Sequence, residues 1–139
     1  MNMPRLLLAV LVGFVIIFGT DMLIHGIWLI PDYNATKSLW RSDSEMNSHI
    51  QWMFLAQLLC AATFTVIWAM GFAGRPVSTG ILFGFFMGIF QQVWALVMFV
   101  VVPMPGALAA KWYLSGSAQA ILLGIAVALI YRPRSGSKA

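Results

Sequence analysis

Residues 5–31 read RLLLAVLVGFVIIFGTDMLIHGIWLIP. A helix needs about 20 apolar residues, at about 1.5 Å of rise each, to cross a hydrocarbon core, and this stretch supplies them. It also carries Asp21 and His25, two polar residues one helical turn apart inside the run. Working outward, three further apolar blocks follow. Together they place four spans at about 6–30, 50–72, 77–102 and 112–130. The reading is an all-α, polytopic membrane protein: four transmembrane helices in an antiparallel bundle, one domain over residues 1–131.

Composition excludes most alternatives. Of 139 residues, 61% are hydrophobic and 9% charged. A soluble domain of this size has too much surface for its volume to hide that share. The first apolar run is longer than the roughly 7–15 residues of a signal-peptide core, and no A-x-A-like site follows it, so it is read as a retained helix. The single Cys60 rules out an intrachain disulfide. The net charge of +4 comes from basic residues spread over the span-flanking segments, with no stripe or cluster that would take nucleic acid.

Helix breakers separate the spans. Pro31 is expected to end the first, because proline cannot donate to a continuing helix. GFAGRPVSTG at 71–80 reads as a turn, and PMPGALAAK at 103–111 as the close of the third span and the lead into the fourth. Ser42 and Glu45 have capping-box spacing, so the second helix is expected to start above the membrane and enter it past His49. Residues 132–139, RPRSGSKA, read as a flexible basic tail.

Charge then sets direction. Arg5, Arg75, Arg132, Arg134 and Lys138 fall on one side without an acid among them. Lys37, Arg41 and Lys111 share the other with Asp32, Asp43 and Glu45. The positive-inside rule therefore puts both termini in the cytoplasm and the loop 31–48 outside. Trp28, Tyr33, Trp40, Trp52, Trp112 and Tyr113 gather at the outer boundary as an aromatic belt, with Tyr131 and Trp68 assigned to the inner one.

Two stripes of small residues predict close helix packing. Gly80, Gly84 and Gly88 recur every four residues in the third span, with Gln92 continuing the row. Gly116, Ala120 and Gly124 do the same in the fourth. Such stripes let backbones approach, whether within the chain, in a homo-oligomer or against another membrane subunit.

Depth is the remaining clue. Counting from the outer helix ends, Asp21 lies about 13 Å down, Gln57 and Gln119 about 11 Å, and Gln92 about 15 Å. Each span thus sends a polar residue to a similar level. An aspartate there costs roughly 2.5–3.5 kcal/mol unless it is paired or faces the bundle interior, and His25 at i+4 is the expected partner. Asp21, His25, Gln57, Gln92 and Gln119 are therefore read as one polar intramembrane layer. It serves as interhelical glue, as a site for a proton, ion or small ligand, or as a subunit interface. Asp21 with His25 and Glu45 with His49 have metal-ligand spacing, but His49 should sit roughly 8 Å above His25, too far for one ion with bonds near 2.1 Å. No metal site, catalytic set or cofactor follows from these residues; an enzyme ranks third.

The segments HGIWL, QWMFLAQLL, GRPVSTGILFGFFMG, VPMPG and ALIYRP resemble a widespread set of small four-helix bacterial membrane proteins. The resemblance spans nearly the whole chain. It implies a bacterial inner-membrane location with the lipid bilayer as surroundings, and no established activity. Two functions stay open: an accessory subunit packing glycine stripes and aromatic faces against a larger membrane complex, and a small carrier or ligand-binding protein using Asp21 and His25 among the glutamines.

Overall fold

The computed structural model describes residues 1–131, and those residues contain helices and no strand. Helix α1 runs Met3–Leu23 and continues through a π-helical turn, Ile24–Trp28. Two short helices follow, α2 (Ile30–Ala35) and α3 (Asp43–Ser48), with a single 3-10 turn at Lys37–Leu39 between them. Helices α4 (Ile50–Gly71), α5 (Val77–Val101) and α6 (Gly106–Ile130) complete the chain. The four long segments, Met3–Trp28 with α4, α5 and α6, span 26, 22, 25 and 25 residues, each apolar and long enough to cross a bilayer. Large apolar side chains such as Leu11, Val15, Phe86, Phe90 and Val100 point outward all round. In water that surface would be an aggregation hazard; in lipid it is the ordinary exterior. The protein is a multi-pass integral membrane protein.

The spans run antiparallel, and the start of the first meets the end of the last: the backbone N–H of Asn2 donates to the hydroxyl of Tyr131 at 3.2 Å. This terminal end also holds the turn between α4 and α5, where Gly74 takes a φ of 82° that a side chain would strain. The opposite, capped end carries α2 and α3.

Helices α5 and α6 form the most extensively packed pair, and the two small-residue stripes face each other there. A Cβ built on Gly80 would lie 2.5 Å from the Gly124 carbonyl oxygen, and one on Gly88 would lie 2.9 Å from Ser117 Cα. At Gly84 it would strike the Ala120 carbonyl, and at Gly124 the Gly80 carbonyl. The glycines are thus consumed within the chain. Helix α1 packs on α4 and α6, whereas α4 and α5 stay apart at the backbone and meet through rings. Phe83 of α5 lies 4.8 Å from Phe64, 5.6 Å from Trp68 and 5.1 Å from Phe72, centre to centre.

Several boundaries differ from the sequence reading. Pro31 does not end the first helix into a loop; it sits in the first turn of α2, where a missing N–H costs nothing. The fourth span starts at Gly106 behind Pro105, so residues 106–111 belong to the helix. Ser42 and Glu45 do form a capping box, but it starts α3, which stops at His49, whose φ of −110° and ψ of 5° leave the helical region before α4 begins. Trp68 is fully buried among rings and not in an interfacial belt. The tail at 132–139 lies outside the described residues.

Candidate functional site

The polar residues converge in the capped half. Asp21 sits near the end of α1 and receives a donor on each carboxylate oxygen. Gln57 Nε2 of α4 donates to Oδ2 at 2.7 Å, and Gln119 Nε2 of α6 donates to Oδ1 at 2.8 Å. The Gln119 nitrogen also lies 2.5 Å from Thr20 Oγ1 and 3.2 Å from the Ile17 carbonyl. Three spans are therefore joined through one carboxylate. Helix α5 takes no part in that cluster. Gln92 lays its side chain over Gly116, which explains why that position has no Cβ, and Gln91 Nε2 donates to Cys60 Sγ at 3.3 Å.

His25 makes its hydrogen bond to a residue other than Asp21. The wide turn begins just after Leu23, with Leu29 N bonded back to Ile24 O at 2.8 Å. A π turn breaks the i,i+4 stacking on which that pairing depended, and such turns recur at functional sites. The imidazole instead meets Tyr33 of α2, with Nδ1 2.5 Å from the phenol oxygen and the rings stacked. Trp112 Nε1, which can only donate, gives its hydrogen to the same oxygen at 2.9 Å. The same hydroxyl bonds His25 Nδ1, and which of the two donates follows the imidazole tautomer. Burial pushes the Tyr33 phenol up to about 12, against the lowering effect of the Trp112 bond, so it stays neutral at ordinary pH.

Below this His25–Tyr33–Trp112 roof lies a cavity of about 500 Å³, within the usual range for small-molecule sites. Asp21, His25, Gln57, Gln92 and Gln119 all line it, as do Gln91 and Cys60. Among the described residues, the ring contacts between α4 and α5 lie at the terminal end, away from this cavity. Gln57 is buried and its Oε1 has no hydrogen-bond partner.

The roof is anchored from outside. Lys111 Nζ lies 2.8 Å from both Asp32 oxygens and 5.7 Å from the centre of the Trp28 ring. Trp40 packs its ring on Tyr33 and Trp112 and donates to Thr36 Oγ1 at 2.9 Å. Leu29, Met104 and Leu108 form a buried apolar cluster against which Tyr33, Trp40 and Trp112 pack.

Tyr33, Trp112, Thr20 and the Lys111–Asp32 pair are absent from the sequence-level site. The aromatics were legible only as a belt, and Lys111 and Asp32 only as charges on one side. Their pairing depends on α2 folding back over the bundle, which residue spacing does not encode. His49 lies apart from the cavity, its Nδ1 2.8 Å from the Glu45 carbonyl at the end of α3. Among the described residues no three of His, Cys, Asp and Glu come together as a metal-binding group.

Compared with family models, with curated proteins and with solved structures, the chain finds no match.

Proposed function

We propose that this is a small membrane protein that binds a hydrogen-bonding small molecule in the cavity under the α2 roof, as a carrier or pocket protein. The observation that carries the reading is Asp21: an intramembrane carboxylate held by amides from two other spans, at the wall of a cavity of about 500 Å³. Interhelical glue alone would close such a space, since polar contacts between spans are worth only about 0.6 kcal/mol and packing supplies the rest. Intramembrane ionisable residues mark sites by default.

The distribution of Arg5 and Arg75 against Lys37, Arg41, Lys111 and the acids favours cytoplasmic termini and an outward-facing roof. The bacterial inner membrane is the location we propose with that orientation. The accessory-subunit reading has less to stand on than the sequence suggested, because the glycine stripes that would receive a partner already pack against each other.

Native mass spectrometry of the protein, gently extracted from its own membranes, tests the proposal. We expect a single chain or homo-oligomer carrying an extra small mass, reduced in Asp21→Ala. Reproducible masses of other subunits, with no small ligand, would overturn it in favour of the accessory role.

A further inference from the structure

Around Asp21 the unused hydrogen-bonding capacity of the cavity is that of acceptors. Gln57 turns its nitrogen to Asp21, which leaves its carbonyl oxygen buried and unpartnered in a residue only 6% exposed. Reversing that amide would set one acceptor against another, so the orientation is fixed by chemistry. Gln119 likewise spends its nitrogen on Asp21, Thr20 and the Ile17 carbonyl, and Gln91 spends its own on Cys60. What remains over on these residues is acceptors, three amide oxygens and the second lone pairs of a carboxylate, while Gln92 on the same lining keeps both an amide donor and an acceptor.

Positive charge is scarce beside them. Lys111 is committed to Asp32, and His25 has one ring nitrogen committed to Tyr33. Tyr33, Trp94 and Trp112 add aromatic rings to the same lining, beside the aliphatic Ile17, Ile24 and Met53. A negative, acceptor-rich floor beneath aromatic faces suits a cation that brings its own N–H donors. A bare metal ion fits less well, because the cavity is far larger than an ion and Asp21 is the single carboxylate lining it.

We infer that the cavity takes a small organic ammonium ion, its nitrogen at Asp21 and the Gln57 carbonyl and its apolar part against the Tyr33, Trp94 and Trp112 rings. This rests on the binding role proposed above and names the ligand class.

The test uses the full chain in lipid nanodiscs and three probes of one shape: 2-phenylethylammonium, 2-phenylethanol and phenylacetate. Sodium and potassium chloride serve as a fourth arm. Cys60 is the chain's one cysteine and lines the cavity, so its alkylation by a small thiol reagent reports occupancy, with tryptophan fluorescence as a second signal. The ammonium probe should slow alkylation at concentrations about tenfold or more below those 2-phenylethanol requires, the size expected of hydrogen bonds to charged groups. Asp21→Asn, which keeps the shape, should erase that preference. Equal protection by the alcohol, or better protection by phenylacetate, would overturn the ammonium assignment and leave the binding role standing. Protection by sodium or potassium alone would overturn it in favour of an inorganic ion. If no probe protects, both the assignment and the binding role fail.

Discussion

The two halves of the bundle solve the same problem differently. In the terminal half, α4 and α5 are bridged by Phe64, Trp68, Phe72 and Phe83, and α5 and α6 touch backbone to backbone along their glycines. In the capped half the same helices frame a cavity whose walls carry Asp21 and four glutamines. Without a hydrophobic drive between helices in lipid, packing contacts hold the first half and a few hydrogen bonds the second. The difference separates stability from function: the terminal half can hold the fold while the capped half stays open enough to bind.

The sharpest way to break that division is to enlarge a glycine. In Gly84→Leu the new Cβ meets the Ala120 carbonyl and Ile121 Cα, both backbone, so the helices must move apart. We expect a loss above about 3 kcal/mol and failure to accumulate a folded monomer, read as the midpoint of denaturant unfolding in detergent. Gly19→Leu, with nothing within 4 Å of its Cβ, is the matched control and should be nearly silent. Equal effects from the two would mean that the α5–α6 contact does not dominate stability.

Next in size is Phe83→Ala. It removes the ring that Phe64, Trp68 and Phe72 share, at a cost of about 3 kcal/mol. Thermal unfolding should shift strongly, while any ligand-dependent protection of Cys60 persists in the protein that remains folded. Loss of protection together with stability would show that the halves are coupled.

The glycine contact and the common depth of the polar residues were the legible part of the chain. Four-residue glycine spacing follows directly from helical geometry, and so does the depth at which Asp21, Gln57 and Gln119 meet. What escaped depends on departures from that geometry. A π turn diverted His25 from Asp21 to Tyr33, and a proline read as a stop became the first turn of α2. Trp68 escaped because a tryptophan near a span end is as suitable for an interface as for a core, and only its neighbours decide. The Gln57 oxygen left without a partner could not be anticipated, since it results from which way one amide faces.

The roof offers a smaller perturbation that sharpens the comparison. Tyr33→Phe removes the bond from Trp112 and the one to His25, with about 1 kcal/mol lost and little change in global unfolding. Alkylation of Cys60 should accelerate, because the cavity loses its closure. Alkaline pH should act the same way on the wild type. The Tyr33 phenol is raised to about 12 from an ordinary value of 10.0, so its contribution is complete below pH 10.0 and is lost as pH climbs from there to about 12. Phenolate absorbance of the wild type minus that of Tyr33→Phe should titrate near the upper value. A difference spectrum that titrates near 10.0 would mean that the roof is open.

The smallest effect lies farthest from the packed half, in α3. Ser42 Oγ accepts from Glu45 N at 3.4 Å, and the Glu45 carboxylate accepts from Ser42 N at 3.0 Å and from its hydroxyl at 2.7 Å. These bonds from Ser42, side chain first and then backbone, lower the Glu45 carboxyl below its ordinary 4.5. With the folded value depressed, the contribution is present above 4.5 and disappears as pH falls through the lower folded value. Hydrogen exchange at the α3 amides should therefore speed up in acid, by less than about tenfold, and Ser42→Ala should produce the same increase at neutral pH. The cavity should not respond to either change, since the six residues of α3 end at His49, whose ring bonds within its own turn. If acid or Ser42→Ala instead exposes Cys60, α3 belongs to the roof, and the loose half of the molecule extends from Asp21 to the capping box.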